Sequence, residues 1–98
     1  MSLEVSFHRA AKTELIEASS WYENKQHGLV AEFILEIERC ITFASNHATG
    51  CVLVKPDIRR VVAKRFPYSI YFRAEKTRIV VLAVFHSRRD PIIWMTRN

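Results

Sequence analysis

The sequence is poor in glycine and cysteine. Its 98 residues include two glycines, Gly28 and Gly50, and two cysteines, Cys40 and Cys51. So few glycines exclude the glycine-rich loop that cradles phosphate groups in many nucleotide-binding proteins. Two thiols without a CxxC spacing or a histidine cluster favour neither a disulfide framework nor a zinc site. We therefore expect two reduced cysteines, no metal and no cofactor.

The sequence also lacks a long apolar run. No stretch reaches the roughly 18–20 apolar residues that a helix needs to cross a bilayer. The opening Met-Ser-Leu-Glu does not begin the basic and then apolar pattern of a secretory signal. Internal repeats and low-complexity tracts are absent as well. Because 49% of the residues are hydrophobic, one core is feasible. We predict a single cytoplasmic domain over residues 1–98, without membrane contact.

Positive charge is in excess and is unevenly distributed. The net charge is +5, but residues 1–50 contain four basic and seven acidic residues, a net charge of −3. Residues 51–98 contain eleven basic and three acidic residues, a net charge of +8. This separation predicts a positive surface that attracts nucleic acid or an acidic protein segment, although a merely soluble basic surface is the simpler alternative.

The first half of the chain is typical of one strand followed by two helices. Residues 3–7 alternate apolar and polar side chains, as a half-buried strand does. From about Arg9 apolar residues recur at helical spacing, with Glu14 among the residues expected to face water. Trp21 lies off the apolar stripe, which favours the edge of the core over an exposed position. Gly28 should end this helix and admit a second one with a wide apolar face.

The second half is typical of an antiparallel meander. We interpret residues 46–55 as a loop, and predict strands over 59–66, 68–75 and 78–87 because each is short and rich in β-branched or aromatic residues. The last strand is apolar without alternation, so both of its faces should be covered. The strand before it alternates, and Tyr71 should face outward with Arg73.

The carboxyl-terminal tail contains a helix-start signal. Asp90 is a suitable cap, and Pro91 suits the first position of a helical turn that ends near Met95. Trp94 should anchor this tail to the domain.

Three motifs in the last third of the chain resemble a known family. They are Phe66-Pro67-Tyr68, the apolar run 79–85, and His86-Ser87-Arg88-Arg89-Asp90-Pro91 followed by Trp94. In this order and spacing, after two helices of this size, the chain resembles the RelE/ParE toxins. These are type II toxin-antitoxin toxins that include plasmid stabilisation proteins, and this chain looks closer to the ParE branch.

The resemblance implies a fold and a function. The expected fold is α+β, an amino-terminal strand and a two-helix hairpin packed on an antiparallel sheet, in the order β-α-α-β-β-β. The expected function is growth arrest, through binding and inhibition of DNA gyrase, with neutralisation by a cognate antitoxin. Two alternatives remain open: a RelE-type endoribonuclease that cleaves messenger RNA on the ribosome, and a non-toxic nucleic-acid-binding domain.

The residues bear on the choice between these functions. If the chain is RelE-like, Arg65 and Arg73 would stabilise the charged phosphorane and His86 would transfer a proton. RelE-like nucleases commonly carry a tyrosine near the carboxyl terminus, whereas this tail has Trp94, and indole does not exchange a proton near neutral pH. The residues therefore favour a ParE-type function over RNA cleavage. Target or antitoxin contacts are expected at Lys64, Arg65, Arg73, Arg88, Arg89 and Trp94.

Overall fold

The chain forms a five-stranded sheet with two helices on one face. A computed structural model describes residues 3–97; Met1, Ser2 and Asn98, which belong to the predicted domain span, lie outside the described residues. The elements in chain order are β1 Glu4–Phe7, α1 Arg9–Lys25, α2 Leu29–Asn46, β2 Val52–Lys55, β3 Ile58–Val62, β4 Tyr68–Ala74, β5 Arg78–His86 and α3 Ile92–Met95. The strand order in the sheet is β1-β5-β4-β3-β2. The α+β fold class and the antiparallel arrangement of the meander are confirmed.

Two details of the predicted sheet are wrong. The predicted loop 46–55 contains a short 3-10 turn, Ala48–Gly50, and the strand β2, so four strands follow the helices. β2 escapes a search for alternation because it is a short edge strand in which both Val52 and Leu53 are exposed. In addition, β1 joins β5 in parallel, so the sheet is mixed.

Local signals explain where the two long helices begin. The imidazole Nδ1 of His8 accepts the N–H of Ala10 at 3.0 Å and so caps α1. Gly28 lies between the helices with a φ of +85°, a conformation that an L side chain adopts only at a cost. The predicted break at Gly28 is therefore confirmed, and it lets α2 fold back along α1.

The sheet has a core on each face. The helix face holds the larger one, in which Phe33 and Ile37 of α2 pack against Ile70 and Phe72 of β4. On the other face Trp94, only 2% exposed, stacks on Tyr71 with ring centroids 4.0 Å apart. The prediction that Trp94 anchors the tail is confirmed. The prediction that Tyr71 faces outward is wrong, because the tail folds back over the sheet and half-buries it.

A cap stabilises the short helix of the tail. The carboxylate of Asp90 accepts the N–H of Ile92 at 3.0 Å, and α3 ends at Met95. This confirms the predicted cap and the predicted end of the helical turn.

The turn between β3 and β4 is held on α2 by carboxylates. The Oε2 of Glu36 accepts the main-chain N–H of Lys64 at 2.5 Å, and Glu32 pairs with Arg65 at 2.7 Å. Arg65 has a φ of +71°, a left-handed conformation that is unfavourable for a non-glycine residue. These contacts with α2 hold the strained turn in place.

We expect Glu36 to make stability depend on pH. The hydrogen bond from Arg39 and then that from the Lys64 N–H lower the pKa of Glu36 from 4.5 to about 2. A lowered folded-state pKa stabilises the protein fully above pH 4.5, and this contribution is lost as the pH falls toward 2. Glu36→Gln should therefore cost about 1–2 kcal/mol near neutral pH, a value reduced for the solvent exposure of Arg39.

Urea unfolding at neutral pH and in acid measures this effect. The parent protein and Glu36→Gln should become equally stable as the pH approaches 2, because Glu36 of the parent is then protonated. The control is Glu38→Gln, which changes an exposed residue of the same helix. A constant difference between parent and Glu36→Gln across the titration would contradict the assignment.

Candidate binding groove and the surrounding charges

An aromatic cluster lies at the end of the sheet where β5 finishes. The rings of Tyr22, Phe33, Phe66 and Tyr68 contact one another, with centroid separations from 4.7 to 6.2 Å. The Phe66-Pro67-Tyr68 motif places two of these rings under the helices, one on each side of the proline. The motif therefore has a structural role, since it closes the helix-face core.

A groove of about 380 Å³ opens beside this cluster, between α1 and the end of β5. Its lining is mainly apolar and aromatic, and it also includes charged and polar side chains. The lining residues include Ala18, Trp21, Tyr22, Tyr68, His86 and Arg89. Trp21 is 54% exposed, so its predicted place at the edge of the core is wrong, and its ring forms part of a surface available to a partner.

Burial affects the two phenol groups of the groove. Burial, and next the neighbouring Tyr68, raise the pKa of the Tyr22 hydroxyl. Burial also raises the pKa of the Tyr68 hydroxyl, and Arg89 opposes part of that rise. Both phenols therefore remain protonated, and they serve as hydrogen-bonding groups on an aromatic wall.

His86 is held in one orientation. Its Nδ1 accepts the main-chain N–H of Arg88 at 3.0 Å, so the neutral imidazole carries its proton on Nε2. Its ring contacts Tyr68 edge to face, with centroids 5.1 Å apart. These contacts fix the orientation of the imidazole at the end of β5.

Glu14 is the centre of an ion cluster that the sequence did not indicate. The prediction that it faces water is wrong: only 8% of its side chain is exposed, and it pairs with Arg97 at 2.8 Å and with Arg89 at 3.5 Å. Its Oε1 also accepts the N–H of Val84 at 3.1 Å. Glu14 escapes a helix-periodicity analysis because its partners come from residues 70 to 83 positions away.

The predicted site cations do not form one surface. Lys64 and Arg65 lie in the β3–β4 turn, near the end of β5 where Arg88 and Arg89 follow. Arg73 is at the far end of β4, where it pairs with Glu75 at 3.3 Å. Arg65 and Arg89 pair with carboxylates of the helices, so the charge separation along the sequence is partly cancelled in the fold.

The three residues of the nuclease alternative are also apart. Tyr68 pairs with His86, and Arg73 lies five residues along β4, about 16 Å away at the usual rise of a strand. Strand alternation puts Arg73 on the face of Tyr71 and His86 on the face of Tyr68. Arg65 is bound to Glu32. In this arrangement no single substrate phosphate contacts Arg65, Arg73 and His86 together.

Clusters of metal ligands and membrane-spanning helices were also sought in the part of the chain that the structure describes. Within residues 3–97, no three His, Cys, Asp or Glu side chains are grouped so that they would hold a metal ion. Neither α1 nor α2, nor any other helix of the same residues, combines the length and hydropathy that a membrane crossing needs.

Comparisons with known proteins show the family of this chain. The family model described as "ParE toxin of type II toxin-antitoxin system, parDE" matches residues 5–91. The chain therefore belongs to the ParE toxin family of type II toxin-antitoxin systems. No curated protein matches the sequence.

One solved structure supports the fold. It is described as "Chromosomal ParDE TA system from P. aeruginosa" and matches with a TM-score of 0.72 at 18% sequence identity. The match covers 87% of this chain and 96% of that chain. At this identity the likeness concerns the fold alone.

Proposed function

We propose that this toxin arrests growth by binding and inhibiting DNA gyrase in the cytoplasm, and that a cognate antitoxin neutralises it. The observation that carries this proposal is that Arg65, Arg73 and His86 lie apart: Arg65 is in the β3–β4 turn, and Arg73 and His86 are on opposite faces of the sheet. Cleavage of RNA requires proton transfer and charge stabilisation at one phosphate. Binding of a target requires only an exposed surface of suitable shape and charge.

The exposed cation Arg88 is the best candidate for contact with the target. Its guanidinium makes no hydrogen bond or ion pair within residues 3–97, whereas Arg89 is shared between Glu14 and the ring of Phe85. A cation without an internal partner is free to pair with an acidic surface of gyrase. We also propose Lys64, Arg65 and Arg73 as contact residues for the target or the antitoxin. Trp94, which is only 2% exposed, would contribute indirectly, by holding the tail that follows Arg88 on the sheet.

Growth arrest and gyrase inhibition should depend on Arg88 and not on His86. Arg88→Glu should abolish growth arrest, because charge reversal replaces an attraction with a repulsion. His86→Ala should leave it nearly intact. The control is Lys76→Glu, the same charge change at the exposed β4–β5 turn, at the other end of the sheet. Plasmid supercoiling by gyrase and the integrity of ribosome-bound message should be measured for each variant.

The endoribonuclease alternative predicts the opposite pattern. His86→Ala and Arg65→Ala would then each slow message cleavage by about a hundredfold or more, since each would remove a proton-transfer group or a preorganised cation. Rapid message cleavage that is lost with His86, together with unchanged supercoiling, would overturn the gyrase proposal.

A further inference from the structure

The outer edge of β5 is only partly covered by β1. The two strands pair in parallel from Glu4 opposite Arg78 to Phe7 opposite Val81. The chain then turns into α1 at Arg9, while β5 continues to His86. The last residues of β5 therefore have β4 on one side and no strand on the other.

Three main-chain groups on this open edge are satisfied by other means. The guanidinium of Arg97 donates to the carbonyl of Leu82 at 2.9 Å, and the N–H of Val84 donates to Glu14 at 3.1 Å. The carbonyl of His86 accepts the N–H of Arg89 at 3.1 Å. Side chains and a turn thus replace the missing strand along part of its length.

Two groups are left over, the carbonyl of Val84 and the N–H of His86. The N–H of Ser87 donates to the carbonyl of Pro67 at 2.8 Å, and this bond fixes which groups of β5 face β4. By the alternation of an antiparallel ladder, both leftover groups point away from β4. Neither makes a hydrogen bond within residues 3–97.

Both residues line the groove described above, opposite the exposed ring of Trp21. The carbonyl of residue i and the N–H of residue i+2 are the pair that one residue of a parallel neighbouring strand satisfies. The main chain in the interior of a helix offers nothing to this pair, because its groups are bonded internally. A helix could satisfy the pair only through side chains, as Glu14 of α1 does for the N–H of Val84. The leftover pair therefore selects an extended chain.

We propose that the groove binds an extended segment of the antitoxin, which adds to the sheet in line with β1. One residue of the segment donates its N–H to the carbonyl of Val84, and its own carbonyl accepts the N–H of His86. The apolar side chain of the segment packs against Trp21 and Ala18. An acidic residue of the segment pairs with Arg89, whose side chain is 46% exposed. This inference rests on the proposed function, because it assumes an antitoxin.

The test uses the toxin together with the product of the reading frame beside its gene. Trp21→Ala should weaken the complex by about tenfold or more, because it removes an aromatic anchor from the groove. Ile16→Ala is the matched control: Ile16 is also on α1 and is 58% exposed, but it lies outside the groove. Its change should alter the affinity by less than about twofold.

Amide hydrogen exchange of the complex reports on the proposed backbone pairing. The His86 N–H should exchange at least about a hundredfold more slowly in the complex than in free toxin. Unchanged exchange at His86, even with a large effect of Trp21→Ala, would overturn the inference and indicate a helical or purely side-chain contact. Equal effects of the Trp21 and Ile16 changes would overturn it as well.

Growth arrest by the free toxin separates this inference from the proposed function. If the toxin arrests growth and its neighbour's product neutralises it while His86 exchanges freely, the binding mode proposed here is wrong and the proposed function stands. If the neighbour's product forms no complex with the toxin, this inference is refuted together with the antitoxin part of the proposed function, whereas the supercoiling assay still tests the gyrase part.

Discussion

Glu14→Ala is expected to lower the free energy of unfolding by about 3 kcal/mol, because it leaves the guanidinium of Arg97 largely buried without its carboxylate. The Arg97 side chain is only 12% exposed, and two of its nitrogens donate to Glu14 at 2.8 and 2.9 Å. The change also removes the acceptor for the N–H of Val84. Chemical denaturation at neutral pH measures the loss.

Glu17→Ala is the matched control for Glu14→Ala. Glu17 lies one turn away on α1, is exposed and makes no ion pair within residues 3–97, so its loss should change stability by less than about 0.5 kcal/mol. A double-mutant cycle with Arg97→Ala should give a coupling energy of at least about 1 kcal/mol. Equal midpoints for the Glu14 and Glu17 variants would show that the ion cluster does not stabilise the fold.

Trp94→Ala is expected to cost about 3–5 kcal/mol, because it empties the core on the second face of the sheet. The indole is 2% exposed and stacks on Tyr71. Loss of the indole should also release the tail, and Arg88 with it, so growth arrest should fall. Denaturation curves and growth assays at the same expression level measure the two effects.

Two other variants isolate the cause of the Trp94 effect. Ile92→Ala changes an apolar residue of the same short helix that is 62% exposed, and it should cost less than about 1 kcal/mol. Trp94→Phe should be much milder than Trp94→Ala, since the indole Nε1 has no hydrogen-bond partner within residues 3–97. A loss of stability with Ile92→Ala as large as with Trp94→Ala would contradict the proposed packing.

The sequence by itself determined the order of most elements. Local signals account for this: apolar periodicity in α1 and α2, a glycine at position 28 between them, and the Asp90 cap before α3. The unbroken apolar run of β5 also indicated a strand covered on both faces. Each of these signals depends on residues close together in the chain, so a sequence pattern is sufficient to detect it.

Tertiary structure, and not the local sequence, decided that β2 is a strand and that Trp21 is exposed. β2 is an edge strand of four residues, too short for alternation to distinguish from a loop. Trp21 and Tyr22 are adjacent, yet only Tyr22 points into the aromatic cluster. Its partner Phe66 is distant in sequence, and therefore α1 alone did not reveal which ring the core would accept.

The candidate site depended on tertiary structure almost entirely. The sequence indicated many cations in the second half and many carboxylates in the first, and this suggested a free positive surface. In the fold, Glu14 forms an ion pair with Arg97 and Glu32 forms one with Arg65, because α1 and α2 lie along the sheet. Which cations remain free, and where β5 has an open edge, depend on long-range pairing that no local pattern of residues encodes.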